Sequence, residues 1–149
     1  MNLNPAITEL TTAATDALIA IVALGCIRVL RRGHRKYRQR VAIWSWVFGL
    51  LAFSSMLGAL VHGLDLSSTV QSWLWRPLFL SLGLVVAMFV IGAVFDLKGE
   101  NAARAWLVPM LVLAVVFFTV TQIGSGSFRI FIVYEAMAVS YTHLTLPTN

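Results

Sequence analysis

The feature that most constrains this chain is a series of four apolar runs, each 18 to 24 residues long, at residues 10–30, 41–64, 74–95 and 106–123. A helix of that length crosses a hydrocarbon core of roughly 30 Å. Backbone polar groups in lipid must be satisfied internally, which leaves helices or closed barrels, and the runs lack the alternation of barrel strands. We therefore predict an all-α, polytopic transmembrane helix bundle with four complete spans and a truncated fifth at residues 128–138.

The charged residues indicate how such a bundle lies in the membrane. Hydrophobic residues make up 59% of the chain and charged residues 11%, against roughly a quarter charged in soluble domains. Seven of the eleven Lys and Arg residues lie between Arg28 and Arg40. Between two spans, such a block indicates a cytoplasmic loop rather than a nucleic-acid site. We predict an integral protein of the bacterial inner membrane, in contact with the lipid bilayer and not with nucleic acid. Its N-terminus is then outside and the loop from Arg31 to Arg40 is cytoplasmic.

Alternation of the spans from this loop places the remaining segments. Residues 65–77 become an outer loop, and Pro77 falls in the first turn of span three, where a missing N–H costs little. Asp96 follows the inner end of span three, where we expect an exposed helix-end charge. Short connections predict that consecutive helices are antiparallel neighbours in one domain, residues 1–138.

The segment from Val139 to Thr148 has a different character from the rest of the chain. Its apolar spacing stops in mid-helix and gives way to a Thr- and Pro-containing string, VSYTHLTLPT. This string resembles the translation of a transposon-end sequencing adapter. The resemblance implies that residues 139–149 are a non-native tail, that the native residues end near Ala138, and that the chain is a fragment of a longer protein.

Span two carries the residues most suggestive of chemistry. Ser55, Gly58, Ala59 and His62 share one helical face, and its small residues allow another helix to approach closely. On one interpretation, His62 is a metal ligand or a general base, with Ser55 as a catalytic partner two turns below. On the other, His62 is an interfacial histidine hydrogen-bonded to a neighbour.

Other polar residues lie at a similar depth in the predicted outer half. A carboxylate such as that of Asp16 either faces the bundle interior or snorkels to the interface. Counting from the helix ends at 1.5 Å per residue places further polar groups in the same layer. The candidate binding residues are Asp16, Thr119, Gln122 and Glu135. We expect Asp16, Ser55, His62 and Gln122 to converge on one polar pocket.

The order of these features resembles a known layout. An outside N-terminus, a basic first loop and a second span closing on GALVHG, residues 58–63, look like bacterial seven-helix proteins of unknown function. Those proteins are similar to the superfamily of alkaline ceramidases and progestin/adipoQ receptors. That superfamily holds zinc with a Ser and a His on span two, an Asp near span three and two His on the last span. The resemblance implies that the chain is a fragment of a seven-helix protein and that Ser55 and His62 have such roles. The chain departs from it at Gly58, which occupies the Ser position four residues before the His, and it has no Asp at the start of span three.

Three functions follow from these features. The first is a metal-dependent membrane hydrolase acting on a lipid amide, in which zinc activates a water molecule. The second is a proton-coupled transporter or carrier with Asp16, His62 and Glu135 as a relay. The third is a structural or sensory membrane subunit in which those polar residues tolerate substitution. The pattern leaves the oligomeric state open.

Overall fold

The computed structural model describes residues 2–33, 38–124 and 128–145. It contains five helices, which are α1 (Ile7–Gly33), α2 (Arg38–Gly63), α3 (Ser68–Lys98), α4 (Glu100–Ile123) and α5 (Phe128–Thr145). The prediction of an all-α bundle is confirmed. The first four helices are long and apolar enough to cross a membrane, so the chain is a multi-pass integral membrane protein. Parts of the predicted basic loop, the turn after α4 and the tail, at residues 34–37, 125–127 and 146–149, lie outside the described residues.

The helices extend beyond the apolar runs because the polar residues that flank each run are also helical. The clearest case is α3, which begins at Ser68, where the hydroxyl of Ser67 accepts a hydrogen bond from the backbone N–H of Val70. Most of the predicted outer loop at residues 65–77 is therefore helical, and that prediction was wrong. Pro77 lies inside α3 rather than in its first turn.

Each helix packs mainly on the next one along the chain. In the described part, α1 packs against α2 alone, α2 also packs against α3, and α3 also packs against α4 and α5. The side chain of Gln39 at the start of α2 also donates to Glu100 at the start of α4, at 2.9 Å. The fifth helix packs against both α3 and α4. Because α3 stands between α2 and α4, the first two helices and the last two form opposite sides of the bundle.

Apolar clusters hold α3, α4 and α5 together. One cluster contains Phe79, Val86, Phe117 and Tyr134, and its aromatic rings are at most 4% exposed. Helices α3 and α4 approach closely at Gly83 because glycine has no side chain. A Cβ built there would lie 2.8 Å from Cδ1 of Phe117, and small residues of this kind are typical of membrane helix interfaces.

A second cluster and a one-residue connection fix the other end of the α3–α4 pair. The second cluster contains Val90, Ile91, Val94 and Ala103. The connection is Gly99, whose φ of 84° lies in the left-handed region that favours glycine. Its N–H donates to the carbonyl of Phe95 at 3.0 Å. The chain therefore reverses direction between α3 and α4 without a loop.

The last helix continues past Ala138 to Thr145. Its residues in the apolar clusters lie between Ile130 and Ala138, and Val139 is 43% exposed. The origin of residues 139–149 stays a prediction.

Candidate functional site

The site lies along the contact between α1 and α2, where small residues bring the two helices together. A Cβ built on Gly63 would lie 3.2 Å from Cβ of Ala13. A Cβ built on Gly58 would clash with the carboxylate of Asp16, whose Cγ would be 3.0 Å away. The half-buried carboxylate of Asp16 therefore points at α2, as the bundle-interior alternative expected, and it occupies the volume that a side chain at position 58 would fill.

His62 joins this interface from the last turn of α2. Its Nδ1 lies 2.6 Å from Oε2 of Glu9 in the first turn of α1. The side chain of His62 is 24% exposed and that of Glu9 is 43% exposed. Asp16 packs against Gly58, about one turn before His62 on α2. The carboxylates of Glu9 and Asp16 thus both face α2 from α1, and we call Glu9, Asp16 and His62 the carboxylate–imidazole cluster.

The third helix completes the surroundings of His62. The ring of Trp75 meets the imidazole edge-on, with centroids 5.6 Å apart and an interplanar angle of 85°. Trp75 in turn stacks on Phe79, at 5.3 Å between centroids. Since Phe79 belongs to the buried aromatic cluster, His62 connects the ionisable groups of α1 with the core between α3 and α4.

The chain before α1 covers this end of the helix pair. The N–H of Asn4 donates to the carbonyl of Gly63 at 3.1 Å, and the N–H of Asp65 donates to the carbonyl of Asn2 at 2.9 Å. Leu3 and Leu64 form an antiparallel bridge between these bonds. This backbone pairing ties the start of α1 to the end of α2, next to Glu9 and His62.

The structure brings together only some of the predicted site residues. Ser55 is 7% exposed and lies one turn from Gly58 on α2. In contrast, Thr119 and Gln122 on α4 and Glu135 on α5 are exposed, and neither helix packs closely against α1 or α2 in the described part. The expected convergence of Gln122 with Asp16 and His62 is therefore wrong. Similar depth does not imply proximity when α3 separates the helices.

The described residues do not assemble the zinc site that the family resemblance implies. Among them, no group of three or more His, Cys, Asp or Glu side chains has the arrangement that could hold a metal ion. Nδ1 of His62 is already engaged by Glu9. The hydrogen-bonded alternative for His62 thus matches its position, and no chemical step through zinc follows from these side chains.

Sequence reasoning missed Glu9 because it precedes the apolar run. The spacing along the sequence did contain a signal, because Glu9, Ala13 and Asp16 lie at positions i, i+4 and i+7 and therefore share a face of α1. A hairpin with short connections brings that face to the end of α2.

Asp96 is an exposed charge near the end of α3, as predicted, but sequence reasoning did not identify its partners. Its carboxylate accepts from Nε of Arg40 at 2.6 Å and from Nε1 of Trp44 at 3.1 Å. These bonds join the end of α3 to the start of α2, at the opposite end of the bundle from His62.

The chain belongs to a family of unknown function, DUF6962, whose model matches residues 11–146. No curated protein and no solved structure matches the chain.

Proposed function

We propose that this member of the DUF6962 family is a proton-coupled carrier in which the carboxylate–imidazole cluster binds the proton. The observation that carries the proposal is the 2.6 Å contact between Nδ1 of His62 and Oε2 of Glu9 across the α1–α2 interface. Ionisable groups are costly within membrane helices, where they mark substrate paths and proton relays. Here three of them lie on the facing sides of two adjacent helices.

Proton binding at His62 would change how α1 and α2 attract each other. Imidazole is the side chain whose charge ordinarily changes between about pH 5 and 8. A charged His62 attracts Glu9, which it contacts across the interface, and also Asp16, whereas a neutral His62 loses this charge attraction to the two α1 carboxylates. Because α1 contacts only α2 in the described part, this change acts on a helix with a single neighbour. Movement of α1 against α2 is the step that we assign to the transport cycle.

The proposal includes an orientation in the bacterial inner membrane. With the basic loop from Arg31 to Arg40 in the cytoplasm and the N-terminus outside, the cluster lies at the outer surface. Protons then enter from the outside, where Glu9 and His62 are partly exposed.

The other two functions find less support. A metal-dependent hydrolase of lipid amides needs donors that the described residues do not bring together. A structural or sensory subunit does not require a cluster of charges at a helix interface. Transport measurements on reconstituted protein distinguish this alternative from a carrier.

Transport by reconstituted protein tests the proposal. The full chain is inserted into liposomes, an inward proton gradient is imposed, and uptake from a pool of small metabolites is followed by mass spectrometry. We expect gradient-dependent uptake that an uncoupler abolishes and that His62→Gln reduces at least about tenfold, the effect of losing a group required for proton transfer.

A matched control removes a polar group of the same bundle that lies away from the cluster. Gln122→Ala alters an exposed side chain on α4 and is expected to keep wild-type uptake. Gradient-dependent uptake that survives His62→Gln, or none by the folded wild type, contradicts a carrier that uses this cluster.

A further inference from the structure

We infer that a crevice between α1 and α2, at the end of the bundle opposite the cluster, binds the headgroup of an anionic phospholipid. The crevice has a volume of about 820 Å³. Its wall includes Arg31 on α1 and Arg38 on α2, together with Ser45 and Trp46. This inference is independent of the proposed proton site.

The crevice exists because the two helices separate toward this end. Near His62, a Cβ on Gly58 or Gly63 would be in close contact with α1. At Gly49, which lines the crevice, the nearest atom is Cδ1 of Ile27 at 4.0 Å. The tight interface thus relaxes over the length of α2 into an open gap.

Charge makes this gap selective for anions. In the part of the chain that the structure describes, no carboxylate forms an ion pair with Arg31 or Arg38; the neighbouring Asp96 is paired with Arg40 and Glu100 with Arg104. Two arginines on opposite walls can share one phosphate, which arginine binds through paired N–H groups. Basic pockets between membrane helices are suited to acidic lipid headgroups.

A buried hydroxyl without a partner is a second, independent observation. Ser45 is 8% exposed, and its Oγ has no hydrogen-bond partner among the described residues. A buried polar group left unpaired costs about 1–3 kcal/mol. A headgroup oxygen in the crevice would offer this hydroxyl an acceptor that the protein does not.

The apolar surroundings favour a lipid over a soluble phosphate. Trp46 beside the arginines is 65% exposed, and Val22 and Val29 on α1 are 56% and 71% exposed. In a membrane protein, such side chains face acyl chains, and tryptophan is typical of the headgroup level. One ligand with a phosphate and two acyl chains matches both parts of this surface.

Quenching of Trp46 by brominated lipids tests the assignment. The full chain is reconstituted in phosphatidylcholine vesicles that contain either brominated phosphatidylglycerol or brominated phosphatidylcholine, and the Trp46 signal is obtained by subtracting Trp46→Phe. We expect the anionic lipid to associate about tenfold or more tightly, as two nearby cations predict. Arg31→Gln with Arg38→Gln should abolish this preference.

Two further variants test whether the lipid preference depends on the crevice itself, rather than on the total positive charge or on a general loss of folding. Lys98→Gln with Arg104→Gln removes the same charge near the α3–α4 connection and should keep the preference. Ala42→Leu fills the crevice from an exposed position, keeps both arginines and should weaken it. The proposal would be overturned if the two lipids associated equally, or if the preference were unchanged in the Arg31 and Arg38 double variant or in Ala42→Leu. It would also be overturned if the charge control lost the preference to the same extent. Displacement of the anionic lipid by inorganic phosphate would show a soluble-anion site and also overturn it.

Discussion

The absence of a side chain at Gly58 lets the carboxylate of Asp16 lie between α1 and α2. Sequence spacing alone put Asp16 and His62 at similar depths and Gly58 on the His62 face. In the structure, Asp16 packs against Gly58, and His62 lies about one turn further along α2. The role of Glu9 could not be predicted in the same way, because hydropathy identifies the apolar run and not the polar turn that precedes it. The contact between Glu9 and His62 therefore became apparent only from the packing of α1 against α2.

Gly58→Ala is expected to destabilise the protein by about 1–3 kcal/mol, because its Cβ overpacks the interface against Asp16. The measurement is thermal unfolding in detergent. Gly25→Ala is the matched control on α1, since a Cβ there meets nothing within 4 Å. It should leave stability unchanged or raise it by up to about 1 kcal/mol.

A second substitution identifies the clash itself. Asp16→Ala should restore part of the stability that Gly58→Ala loses, because it removes the atoms that the new Cβ meets. Equal melting temperatures for Gly58→Ala and Gly25→Ala would contradict the close approach of α1 and α2 at this point.

At the scale of helices, the apolar runs predicted the number and order of the elements but not which elements touch. The ends of α3 were set by Ser67 and Gly99, whose roles depend on local hydrogen bonds and backbone geometry. Which helix lies between two others depends on packing, and the position of α3 explains why Gln122 and His62 remain apart. Helix order along the chain could not supply that information.

The attachment of α5 depends on Tyr134, which stacks on Phe117 at 4.7 Å and donates its hydroxyl to the carbonyl of Gly83 at 3.3 Å. Tyr134→Phe should cost about 0.5–1.5 kcal/mol, the range for one hydrogen bond. Tyr134→Ala should cost about 3–5 kcal/mol because it also leaves a cavity. Thermal unfolding measures both.

The control for these variants lies on the same helix. Ile132 is 55% exposed, so Ile132→Ala should change the stability much less than Tyr134→Ala. Similar losses from the two alanine variants would contradict the assignment of Tyr134 to the contact of α5 with α3 and α4.

At the scale of the whole molecule, the distribution of basic residues predicts its orientation. A reporter that is active only in the cytoplasm should be active when fused at Gly33 and inactive when fused at Ser68, because the basic loop stays inside. Fusions at the two sites in the same host provide each other's control. Activity at Ser68 and not at Gly33 would reverse the proposed orientation and place the cluster at the cytoplasmic surface.

The extent of the native protein is a separate prediction at this scale. We expect an independent long-read sequence of the same gene to diverge from this chain after Ala138, because the following string resembles a translated adapter. An uninterrupted gene that encodes the same residues from Val139 to Thr148 would show that they are native.

The central claim, that His62 binds a proton beside Glu9 and Asp16, is tested most directly by the fluorescence of Trp75, whose ring lies 5.6 Å from the imidazole. A cation at the edge of an indole perturbs its emission, so proton binding at His62 should produce a step in the Trp75 fluorescence of the full chain as the pH is lowered. The step should disappear in both Trp75→Phe and His62→Gln and persist in Trp73→Phe. A step of the same size in His62→Gln, or no step in the wild type, would contradict proton binding at this site.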